Sequence, residues 1–181
     1  MFVQTQTTPN PNSLKFLPGT TVSNSGSYEI TEKNTIDNDL VRNILSINGV
    51  TGIFLGADFI SVNKKEGTQW EDIKHIVISL INEHYQSGNK YVINKNSAEE
   101  KTDKNLIDIE KKIITILDSK IRPAVARDGG DIKFQEFKDG VVKVKLQGSC
   151  SGCPSSTMTL KQGVQNLLCH YIPEVKEVIA T

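Results

Sequence analysis

The chain has 181 residues, with 21 basic and 21 acidic side chains and no formal net charge. That is enough for one domain or two small ones, and there is no bulk charge to draw a nucleic acid or a membrane surface. The longest mainly apolar run, residues 76–81, is far too short to span a bilayer. Met1-Phe2-Val3-Gln4 lacks the basic start and apolar core of a secretory signal and the arginines of a transit peptide. Three cysteines are sparse and odd in number for a secreted disulfide scaffold. A soluble protein of a reducing compartment is expected, in a bacterial cytoplasm or, as the alternative, a mitochondrial matrix.

In chain order, residues 2–8 alternate and are rich in β-branched types, which predicts a strand. Pro9-Asn10-Pro11-Asn12 is a turn, and residues 13–17 form a second strand ahead of Pro18-Gly19. Residues 20–33 carry turn formers and little periodicity and read as loop. Asp37 or Asn38 caps a short helix with Leu40, Val41, Ile44, Leu45 and Ile47 on one side, ended by Gly49. Residues 50–55 and 59–62 read as strands around Gly56-Ala57-Asp58. Thr68-Gln69-Trp70-Glu71 matches a capping box, and Trp70, Ile73, Val77, Leu80 and His84 line one stripe of the helix behind it. Residues 1–87 thus make a first α+β unit.

Residues 88–105 lack a sustained apolar stripe and read as a flexible linker, although Tyr91-Val92-Ile93 has the character of a segment that lies against a neighbour. A second α+β unit spans residues 106–181. Its first helix, capped by Asn105, gathers Leu106, Ile109, Ile113, Ile116 and Leu117 on one face, and Pro123 marks a break or a fresh start. Asp128-Gly129-Gly130-Asp131 is a tight turn. Two alternating strands follow around the hairpin dipeptide Asp139-Gly140. A helix carrying Leu160, Val164, Leu167 and Leu168 runs to Pro173, and Val175 and Val178 suggest a short terminal strand. The fold class is α+β: two small domains and a linker.

Between the hairpin and that last helix stands Gly148-Ser149-Cys150-Ser151-Gly152-Cys153-Pro154-Ser155-Ser156. Two thiols three residues apart can share a metal or close on each other. Ser155 or Ser156 reads as the helix N-cap, which sets the positive helix end beside Cys153. A closed zinc site drawing on Cys169 and His170 fails on geometry. Cys169 is roughly 20 Å along the helix, and it points about 100° away from His170. A thioredoxin-like dithiol pair is a real competitor, but the upstream strand belongs to a hairpin and no βαβ pattern precedes it. An iron–sulfur cluster needs about four thiolates, so two chains would have to meet across it.

Residues 106–181 resemble the C-terminal domain of NifU-type proteins. The match lies in Ile121-Arg122-Pro123 leading to Asp128-Gly129-Gly130-Asp131, and in the cysteine motif. Residues 2–85 resemble the Nfu-type N-terminal domain, notably at Thr8-Pro9-Asn10-Pro11-Asn12-Ser13-Leu14-Lys15-Phe16. The resemblance implies a scaffold or carrier, with no catalytic residue. It would bind a [4Fe-4S] cluster through Cys150 and Cys153 of each subunit of a homodimer, a [2Fe-2S] cluster being the lesser option. Upstream assembly machinery would supply the cluster and apo iron–sulfur proteins would receive it, with neither nucleic acid nor membrane as partner.

Cys169 reads as a helix residue that packs as a small hydrophobe. Asp128 and Asp131 fit turn hydrogen bonds better than a hard-metal site. The N-terminal unit has no cysteine and offers no soft ligand, so recognition of a recipient from a tether is its expected role.

Overall fold

The computed structural model describes residues 2–94 and 107–181, which form two α+β domains. The first is an antiparallel sheet in the order β1 (Gln4–Thr7), β2 (Ser13–Leu17), β5 (Ile60–Lys64), β4 (Val50–Leu55), β3 (Tyr28–Ile30). Helices α1 (Asp39–Leu45) and α2 (Trp70–Gln86) complete its core. Leu14 and Phe16 of β2, Ile53 and Leu55 of β4 and Ile60 and Val62 of β5 share that core with Ile44, Ile73, Val77 and Ile81. The intervening residues of the central strands point to the other side of the sheet, as the period of two requires. Direct register lines up Lys15, Ser61, Phe54 and Glu29 across β2, β5, β4 and β3. One face of an antiparallel sheet commonly meets water. Here Lys15, Phe54 and Ser61 are buried, because the second domain lies over them.

The second domain opens with α3 (Asp108–Ile116), a π-helical turn over Leu117–Ile121 and α4 (Arg122–Arg127). Pro123 sits in the first turn of α4, directly after the π-helical turn, and Ile121 and Arg122 both keep right-handed helical backbone, so the chain stays helical through it and the expected break or fresh start is corrected. Strands β6 (Gly130–Lys138) and β7 (Val141–Gly148) pair as a hairpin through Asp139 and Gly140, with φ of 51° and 82°. Positive φ at both central residues matches the right-handed twist of the strands, which the Asp-Gly pair supplies. Helix α5 (Pro154–Tyr171) then returns the chain to β8 (Glu177–Ala180), which lies parallel to β7. Ile113, Leu117, Val142, Val144, Val164, Leu168 and Val178 form the core between helices and sheet. Among the described residues no helix is long and apolar enough to cross a membrane.

Several local expectations are corrected. The stretch 20–33 holds β3, and Ser23 pairs in parallel with Ile93. A three-residue edge strand is too short to show periodicity. Thr68 does not cap α2; Gln69 occupies the N-cap and makes no side-chain bond to the helix. Asn38 does cap α1, accepting from the Val41 amide at 3.1 Å. The proposed cap at Asn105 lies outside the described residues; at Ile107, the backbone amide donates to Glu110 at 3.1 Å. Val92 and Ile93 are buried in the first domain's core.

Candidate functional site

The loop between β7 and α5 is shaped by the glycines at its two ends. Gly148 and Gly152 have φ of +71° and +78°, a region open to glycine at little cost. A Cβ on Gly148 would stand 2.6 Å from the Gly129 carbonyl and 3.0 Å from the Phe54 ring. At Gly130 a Cβ would stand 2.8 Å from the Cys150 sulfur. Two glycine turns, 129–130 and 148–152, are therefore pressed against each other, with Cys150 between them.

The two thiols occupy opposite environments. Cys150 is 6 % exposed and belongs to the second domain's apolar core. Burial pushes its thiol up to about 11; the Ser149 hydroxyl opposes the shift, and the carboxylates of Asp128 and Asp131 add to it. Cys153 is partly exposed and is itself the N-cap of α5, with Pro154 as the first helical residue. Neither Ser155 nor Ser156 takes the cap; both lie in the first turn, with hydroxyls 3.4 Å from the Cys153 sulfur. Those hydroxyls, and the amides of the same turn, draw the Cys153 thiol down to about 7. The sequence motif locates both thiols but not this difference, which depends on how the loop turns one of them inward.

Asp131 is tied into an ion pair and hydrogen bonds. It accepts from Arg122 Nε at 2.9 Å and Nη2 at 2.9 Å, from the Ser27 hydroxyl at 2.5 Å and from the Ile132 amide at 2.8 Å. Burial alone would raise its carboxyl, yet the guanidinium and these donors hold it below the usual carboxylate range. This pair fixes α4 to β6 beside the cysteine loop, a role that neither the turn reading nor the hard-metal reading anticipated. Cys169 packs partly against the core of its domain. It stands sixteen positions beyond Cys153, roughly 24 Å along the helix. Among the described residues no three Cys, His, Asp or Glu side chains gather as a metal site.

The first domain grips the loop by its backbone. Glu29 accepts from the Gly148 amide at 3.0 Å and from the Ser151 hydroxyl at 3.0 Å. Asn10 donates to the Ser149 carbonyl at 3.2 Å, and Ser61 donates to the Gly129 carbonyl at 2.7 Å. Lys15 reaches the end of α4, donating to the Ala126 carbonyl at 2.9 Å with its ammonium 4.4 Å from the centroid of the Phe59 ring. Burial lowers the Lys15 ammonium despite the opposing pull of Asp58 and Asp128. A tethered first domain, free of the second, is thus not what the structure holds. The residues responsible are scattered polar positions whose pairing partners are backbone groups, which no sequence pattern reveals. Beside Cys150, an apolar cleft of about 490 Å3 runs between α5 and the helices before β6, lined by Ile121, Val125, Leu160 and Val164.

Comparison with known families assigns both domains. The NifU-like domain matches residues 113–179, and the N-terminal domain of scaffold proteins Nfu/NifU matches residues 3–88. The chain belongs to the NifU-like family. It is 45 % identical over 184 aligned positions to the NFU1 iron-sulfur cluster scaffold homolog, mitochondrial, of Drosophila sechellia, covering 98 % of this chain and 64 % of that protein. It is 40 % identical to the NifU-like protein 4, mitochondrial, of Arabidopsis thaliana, covering 98 % of this chain and 65 % of that one. The chain therefore spans a little under two thirds of the curated relatives it matches. Among solved structures, a NifU-like protein from Saccharomyces cerevisiae shares 32 % identity, with a TM-score of 0.48 over 53 % of this chain and 87 % of that one.

Proposed function

We propose that this NifU-like chain is an iron–sulfur scaffold and carrier whose cargo is a [4Fe-4S] cluster held by Cys150 and Cys153 from each of two copies. The observation that carries this reading is the pair itself: two soft donors on one glycine-flanked loop, with no third ligand among the described residues. Four thiolates are the normal complement of such a cluster, and a two-fold pairing of chains supplies them. Cys153 fits the cargo well, since a partly exposed thiol drawn down to about 7 is about half thiolate at neutral pH. The names of the relatives support the scaffold role and favour the mitochondrial alternative over a bacterial cytoplasm. Cluster release to apo-proteins is then exchange of one thiolate ligand at a time at the exposed side of the loop. Residues 1–87 and 106–181 act as the two functional units, the second bearing the cluster.

Anaerobic reconstitution with iron and sulfide tests the reading. About four irons and four sulfides per two chains are expected. Loss of both is expected in Cys150→Ser and in Cys153→Ser, and retention in Cys169→Ser. A second reading has one specific observation in its favour, because an accessible low-pKa thiol beside a buried high-pKa one is also the asymmetry of a dithiol redox pair. Disulfide turnover by iron-free protein that fails to take up iron would select it.

A further inference from the structure

The contacts between the domains fall on the very loop that a shared cluster would need to have free. Glu29, Asn63, Asn10 and Ser61 occupy the Gly148 amide and the carbonyls of Gly148, Ser149 and Gly129. Phe54 lies against the Gly148 backbone so closely that a single Cβ there would meet its ring at 3.0 Å. These residues come from four places in the first domain: the turn before β2, and strands β3, β4 and β5. Four of the partner groups are backbone atoms of glycines 129 and 148 and of Ser149, so most of this grip is on the path of the chain, with the Ser151 hydroxyl as a side-chain contact on the same loop.

That path decides where Cys150 points. In the docked form its side chain is buried with Ile121, Val125 and Leu146 in the second domain's core, while Cys153 stays partly exposed. Cys150 lines the apolar cleft between α5 and the helices before β6, while Cys153 stands at the head of α5. Bringing Cys150 outward means turning the backbone between Gly148 and Gly152, the two positions with φ of +71° and +78° where the chain turns most freely. A turn at Gly148 or Ser149 would work against the bonds made there with Glu29, Asn63 and Asn10. A second copy approaching the loop would also meet the sheet that covers it.

We propose that the first domain is an autoinhibitory cap: seated on the loop at Gly148, Ser149 and Ser151, its sheet holds Cys150 inward and excludes a second copy, and cluster loading proceeds through separation of the two domains. The proposal rests on the scaffold reading above for what is loaded, though not for the capped state itself. A cluster that binds only the open form draws the equilibrium open by its differential affinity, so the cap makes uptake depend on a partner chain or donor strong enough to displace it.

The test uses the full chain as wild type, Glu29→Ala and Ser61→Ala. In the iron-free proteins at one pH, labelling of Cys150 by N-ethylmaleimide is followed by peptide mass spectrometry, with Cys169 as the internal control for folding. Anaerobic iron and sulfide uptake is then timed for each protein. The proposal expects Cys150 labelling about five-fold or more faster in both variants, unchanged Cys169 labelling and faster initial iron uptake. Faster Cys150 labelling without iron uptake in any of the three would keep the cap and remove the cluster reading. Equal Cys150 labelling in all three, with normal iron uptake, would remove the cap and leave the cluster reading standing.

Discussion

Cys150 and Cys153 are three residues apart, yet the first is buried beside Gly130 and the second caps α5 at the surface. The pair is chemically asymmetric before any metal arrives, with one thiol pushed up to about 11 and the other drawn down to about 7. Alkylation of the iron-free protein should therefore occur first at Cys153. Its rate should rise with pH and level off above about 7, whereas Cys150 should react slowly throughout the neutral range. Replacing Ser155 and Ser156 together by alanine removes the two hydroxyls at 3.4 Å and should move the Cys153 midpoint upward. Thiol-resolved mass spectrometry across pH reads both effects.

Much of this arrangement is legible from the sequence. Residues 13–17, 50–55, the Asp139-Gly140 hairpin and the cysteine loop ahead of a helix all stand where alternation and turn chemistry put them. The Asn38 cap is legible for the same reason, since a short polar side chain ahead of an apolar stripe has few other uses. What eluded the sequence is long-range. Lys15, Ser61 and Glu29 look like ordinary solvent-facing positions of strands, and only the strand register gathers them into one row over the second domain. The inward turn of Cys150 is hidden likewise, because glycine spacing permits a loop without saying which way its side chains face.

The Asp131–Arg122 pair predicts a pH-dependent stability. A carboxyl held low in the folded state contributes stability above the unfolded value of about 4, and loses it as pH falls through the lower folded value. Asp131→Asn should lower stability at pH 7 by about 1–3 kcal/mol, less than for a fully buried pair because Arg122 remains 39 % exposed and keeps Asp118 at 3.0 Å. The gap between variant and wild type should shrink below about pH 4. Urea denaturation followed by circular dichroism at several pH values measures it.

Gly148 and Gly152 should respond differently to the same substitution. Both have positive φ, so alanine costs about 1 kcal/mol or more at either. At Gly148 the added Cβ also collides with the Gly129 carbonyl and the Gly130 Cα, 2.6 and 2.8 Å away, while at Gly152 nothing stands within 4 Å. Gly148→Ala should therefore be the more destabilising by about 1–3 kcal/mol, and should loosen the contact with the first domain. Thermal unfolding of the two variants side by side checks the order.

The central claim, a cluster shared by two chains through four thiolates, is tested most directly by native mass spectrometry of anaerobically reconstituted protein. The account predicts a species of two chains plus one Fe4S4 unit that reverts to single chains on chelation, since the metal's binding free energy is what holds the pair. Only single chains each carrying a complete cluster, or the same two-chain species from Cys150→Ser protein, would contradict it.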